Sequence, residues 1–167
     1  THTLAGIMDR CATTMGSRLL RRWLNRPIRD RNQLNERFDA LEALNTTTTD
    51  ILRASFEQIG DLERILTRIA IESARPRDLA HLRTALQLLP ELRAALIKCN
   101  TGRTTRLAAA MADHEATRAR LESAVIEEPP MLIRDSGVIA PGYDAELDEL
   151  RSISSNADGY LADLEIR

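Results

Sequence analysis

Apolar residues recur at three- and four-residue steps along almost the whole chain, a period that places them on one face of a helix and is incompatible with the two-residue alternation of a strand. Met15, Leu19, Leu20, Trp23 and Leu24 mark a first amphipathic helix, which Pro27 stops. Asp30 is placed to cap a second over 31–44, with Leu34, Phe38, Leu41 and Leu44 on one stripe. The four threonines 46–49 predict a break, with a third helix beginning at Thr49 or Asp50 and carrying Ile51, Leu52, Phe56 and Ile59. Gly60-Asp61 opens a run through Leu62, Ile65, Leu66 and Ile69, and Pro76 sits where a first helical position is expected, before a longer run through Leu79, Leu82, Leu86 and Leu89. Pro90 either kinks that helix or opens another through Leu92 and Leu96. After the Asn100-Thr101-Gly102 turn, propensity favours helix over 103–125.

Pro129-Pro130 ends this territory. The segments 131–134 and 138–140 flank Asp135-Ser136-Gly137, the size and composition of a small β-hairpin. Past Pro141-Gly142 the helical step returns from Tyr143 through Leu147, Leu150, Ile153, Ala157, Tyr160, Leu161 and Leu164. A continuous helix there spans ~37 Å at ~1.5 Å per residue. Its pattern still runs at Leu164 and Ile166, so the chain reads as cut from something larger. The expectation is an all-α, irregular multi-helix bundle: a helical core over 1–130, a hairpin or turn over 131–142, and the start of a long C-terminal helix over 143–167. With aromatics at 3% of the chain, Leu, Ile and Ala must fill the core, and Trp23 is its largest possible anchor.

Chemistry is sparse. His2, His81 and His114 are scattered, Cys11 and Cys99 lie far apart, and none has metal-ligand spacing, so no metal site is expected. Gly137 and Gly142 have Walker A spacing, but Tyr143 and Asp144 stand where the phosphate-binding Lys and the Mg²⁺-binding hydroxyl must be. Glu127 and Glu128 precede two prolines, which points to an exposed turn rather than an acid–base pair. No catalytic or cofactor-binding residue is expected. A net charge of -2 gives the chain as a whole no electrostatic reason to seek phosphates. Locally, Arg18, Arg21, Arg22, Arg26, Arg29 and Arg31 place six arginines in fourteen residues, read as a solvated or interdomain face in preference to a nucleic-acid patch, because few aromatics interleave with them. The unpaired cysteines and the lack of a basic-then-apolar leader point to a reducing, cytoplasmic setting.

Five segments together resemble one family. Thr3-Leu4-Ala5-Gly6-Ile7-Met8-Asp9 with Thr14-Met15-Gly16-Ser17-Arg18-Leu19-Leu20-Arg21-Arg22-Trp23-Leu24 and Pro27 resembles the opening of the core domain in bacterial MutS mismatch-repair proteins. In the family's order follow Gly60-Asp61-Leu62-Glu63-Arg64-Ile65, Ala74-Arg75-Pro76-Arg77-Asp78-Leu79, Leu89-Pro90-Glu91-Leu92 and 134–143. The resemblance implies a helical core from which a lever helix runs toward a DNA clamp that this chain lacks. It further implies that nucleotide state at a separate ATPase domain, which holds ATP and Mg²⁺, is coupled through the core to clamp opening. The family's Phe-x-Glu mismatch-reading motif and its Walker motifs belong to other domains, so this segment is not itself an enzyme, although its parent is expected to be a DNA-dependent ATPase. Implied partners are other domains of the same chain, and, through the full-length parent, mismatched duplex DNA, a homodimer partner and MutL; a nucleoid association through DNA follows. Arg18, Arg21 and Arg22 are the expected interdomain contact face. The competing reading is a free-standing helical interaction module that receives a partner helix on Ile51, Leu52 and Phe56.

Overall fold

Cap residues and prolines set the element boundaries in the computed structural model, which describes residues 3–135 and 137–165, with side-chain surroundings for all of these except 135 and 157–165. Thr3 caps a short helix α1 (Leu4–Met8), and Thr13 caps α2 (Thr14–Asn25) by accepting the Gly16 N–H. Asp30 caps α3 (Arg31–Glu42) as its sequence position predicts. The next helix, α4 (Thr46–Gln58), starts earlier than the threonine run suggests. Asn45 is the cap, its side-chain oxygen accepting from the Thr48 N–H at 2.8 Å, which leaves the threonines in the first turn. Asp61 caps α5 (Leu62–Ala70).

Helix α6 (Pro76–Cys99) runs through Pro90 as one element and ends at Asn100, which takes the left-handed conformation with φ +48°. The expected single helix over 103–125 is instead two, α7 (Gly102–Ala110) and α8 (Glu115–Ala124). The break places Met111, whose backbone is extended, against the central apolar cluster. The last helix, α9 (Ala145–Glu165), is capped by Asp144, whose carboxylate accepts from the Leu147 N–H at 3.0 Å. The expectation for this helix extended to Ile166 and Arg167, which lie outside the described residues.

The hub is α6, which packs against α4, α5, α7 and α8, while α3 packs on α7 and α1 on α2. Leu52, Leu92 and Ala95 form the buried centre, with Leu44, Ile51, Ile59 and Met111 packed against it. Leu52 and Ile51 are therefore committed to this core, and the stripe they were expected to offer a partner helix is largely used within the chain. Trp23 does not anchor the core: it remains 38% exposed, with the Arg37 guanidinium 3.8 Å over its ring.

The expected β-hairpin is absent; among the described residues there is no strand. Residues Ile133–Asp135 form a single 3-10 turn. Ile139 makes an isolated antiparallel bridge with Val125, supported by Ile126 N–H donating to Val138 O at 3.1 Å and Ala140 N–H to Ala124 O at 2.9 Å. Residues 138–140 thus find backbone partners just beyond α8 rather than in 131–134. Gly137 does take the positive φ, +72°, that the turn requires; Ser136 lies outside the described residues.

Candidate interdomain surface

Helix α2 contributes no buried residue to the body. Its Met15, Leu20 and Leu24 are half-buried, Trp23 meets the Arg37 guanidinium of α3, and its ion pairs run to the start of α5. The Arg18 guanidinium grips Asp61 at the start of α5 with two parallel bonds of 2.7 Å and reaches Glu63 Oε2 from Nε at 3.1 Å and Nη2 at 2.5 Å. Thr14 Oγ1 donates to Asp61 at 3.0 Å, and Asp61 itself accepts the Arg64 N–H. A fork on a carboxylate fixes orientation as well as distance, so this clamp orients α2 against the start of α5.

The Arg18 guanidinium, then the Thr14 hydroxyl, hold the Asp61 carboxyl well below the usual carboxylate range against the opposing effect of burial. A depressed folded-state pKa contributes stability that is complete above the unfolded value, ~3.9, and is lost as pH falls toward the folded one. Chemical denaturation at pH 5, 4, 3 and 2 should therefore show a steeper loss of stability for the unaltered chain than for Asp61→Asn. Parallel curves would remove the clamp from the acid response.

Further guanidinium contacts tie the body together. Arg68 donates to Asp78 at 2.7 Å and 2.5 Å, and the same carboxylate accepts the Arg75 N–H at 2.9 Å at the entry to α6. Arg83 donates to the carbonyls of Val125, Ile126 and Glu127 at 2.7, 3.1 and 2.9 Å, which pins the segment after α8 onto α6. At the base of α9, Arg151 donates to Ile139 O at 2.9 Å and to Asp148 at 3.1 Å.

The three arginines expected to form one contact face therefore separate. Arg18 is consumed by the internal clamp, whereas Arg21 and Arg22 are exposed and have no carboxylate within ion-pair distance among the described residues. Beside them Leu19 and Trp23 stay 42% and 38% exposed. Sequence spacing alone missed Asp61 and Glu63 as partners of Arg18, since they lie more than forty residues away; the only local signal was Gly60-Asp61 as a helix start.

Among the described residues, no group of three or more His, Cys, Asp or Glu could hold a metal ion, and no helix is long and apolar enough to cross a membrane. A family model for MutS domain III matches residues 1–166. With that match spanning essentially the whole sequence and the described residues built from helices, the chain belongs to MutS domain III, part of the DNA mismatch-repair protein MutS.

Proposed function

We propose that this domain is the helical core and lever segment that couples nucleotide state at the MutS ATPase domain to opening of a DNA clamp. The observation that carries the proposal is the unequal attachment of its helices. Around α6 the contacts are buried and apolar, whereas α2 buries no residue fully, is tied to the start of α5 by one guanidinium clamp and to α3 by the Trp23–Arg37 contact, and presents a half-exposed apolar face beside Arg21 and Arg22. Coupling needs an element with two packed arrangements separated by a differential interaction energy, typically ~1–3 kcal/mol. A helix joined by a few directional polar bonds is better suited to exchange arrangements than one buried in a close-packed core.

In this reading other segments of the MutS chain dock on the α2 face, mismatched duplex DNA is met through the full-length protein, and ATP with Mg²⁺ is held by another domain. The homodimer partner and MutL are reached through the same parent. The test is Arg21→Ala with Arg22→Ala in the full-length protein, leaving the Arg18 clamp intact. ATP-triggered release from a mismatched duplex should slow about tenfold, the factor that ~1.4 kcal/mol of lost coupling produces, with nucleotide-free mismatch affinity kept. Release at the unaltered rate would overturn the assignment of this face.

A further inference from the structure

A second surface lies next to α2, and its chemistry specifies an occupant. Leu34, Phe38, Leu41 and Leu44 of α3 and the residues just beyond it line a groove of ≈ 340 Å³ that Trp23 closes on the α2 side. Phe38 and Leu41 are 61% and 63% exposed. Their spacing places them with Leu34 along one helix face, which matches the repeat of an apolar stripe on a docked helix. Two cations, Arg37 and Arg103, also line the groove, and no carboxylate does. Among the described residues neither arginine has a carboxylate partner, and the Arg37 Nε is buried without an acceptor. Arg106, on the same helix as Arg103, is already paired with Glu36 at 2.5 Å.

We infer that this groove receives an acidic amphipathic segment of the MutS chain, with apolar side chains against Phe38 and Leu41 and carboxylates against Arg37 and Arg103. The inference rests on the reading of this domain as one on which other segments dock, and adds the chemistry of the segment. Charge complementarity selects this occupant. A second copy of the same face would bring Arg37 and Arg103 against their own counterparts. Single-stranded nucleic acid would need several open aromatic faces for base stacking, but the Arg37 guanidinium already covers the Trp23 ring, which leaves Phe38 as the one open ring among the lining residues. An acidic segment satisfies both the apolar surface and the two cations.

Replacing Phe38 with the photo-crosslinker p-benzoylphenylalanine in the full-length protein tests this directly. Irradiation followed by peptide mass spectrometry should identify one segment of the same chain with net negative charge and apolar residues at three- and four-residue steps. In an Arg37→Glu, Arg103→Glu background the yield should fall about tenfold, and with both arginines replaced by Lys it should be largely kept. Helical circular dichroism of each variant separates lost docking from lost folding, and Arg103→Glu alone, which leaves the Arg37–Trp23 contact in place, gives the same comparison should the double reversal not fold. Capture of a basic segment, of an added oligonucleotide or of a second copy would overturn the inference, as would no capture or a yield indifferent to charge reversal. Loss of the crosslink pattern with an intact ATP response to Arg21 and Arg22 removal would sink the groove alone; the converse would sink only the coupling role of the α2 face.

Discussion

Leu92→Ala should destabilise the domain by about 3 kcal/mol, within the ~2–5 kcal/mol range for buried Leu truncations. Leu92 is only 2% exposed in the C-terminal half of α6, where Leu52 and Ala95 close over it and Leu44, Ile51, Ile59 and Met111 pack against the cluster. These neighbours arrive from α4, from α6 itself and from the breaks after α3, α4 and α7, so no single element can relax to fill the space. The lost methylenes and the residual cavity therefore both contribute. Urea denaturation followed by circular dichroism at 222 nm reads the effect; a loss below about 1 kcal/mol would mean the cluster collapses around the deletion and is not the packing centre.

Asp78→Ala should have the next largest effect, about 2–3 kcal/mol, because one carboxylate performs two tasks. It accepts both bonds of the Arg68 fork and the Arg75 N–H at the start of α6. Asp78 is 7% exposed, so the carboxylate is buried, while the Arg68 side chain keeps 36% of its exposure. Water can reach the abandoned guanidinium, and the loss stays below the ~3–5 kcal/mol of a fully buried pair. Asp78→Asn keeps an acceptor for the Arg75 N–H and should recover part of the loss. Equal losses for the two variants would assign the whole effect to charge.

The sequence specified helices well and their docking poorly. Periodicity located α2, α3, α5 and α6 because their apolar residues and caps agree, as with Asp30 at α3 and Pro76 at α6. It failed where a local signal had two meanings. Threonines 46–49 are poor helix interiors but tolerated first-turn residues once Asn45 supplies the cap. Residues 138–140 are extended, but their hydrogen-bond partners sit at 124–126 rather than across the nearby turn. The alanine-rich stretch from Arg103 favours unbroken helix, and tertiary packing of Met111 overrides that preference.

Legibility of the interdomain surface was lower still. A run of arginines announces charge without showing which members are already paired. Arg18 faces Asp61 and Glu63 in the fold, whereas Arg21 and Arg22, three and four residues on, do not. Trp23 looked like a core anchor by size and became a wall of an open groove, since α2 is fixed in part by the Arg18 clamp and the Arg37 contact, which no apolar pattern records.

Amide hydrogen exchange in the full-length protein on a mismatched duplex, with and without ATP, tests the coupling role most directly. If α2 is the element that changes its packing, ATP should alter protection in α2 and in the first turn of α5 together, around the Arg18–Asp61 clamp, while amides beside Leu92 in α6 keep theirs. Unchanged exchange in α2 and α5 during ATP-driven release would contradict the account, because the clamp would then be a fixed part of the body and the signal would have to travel by another route.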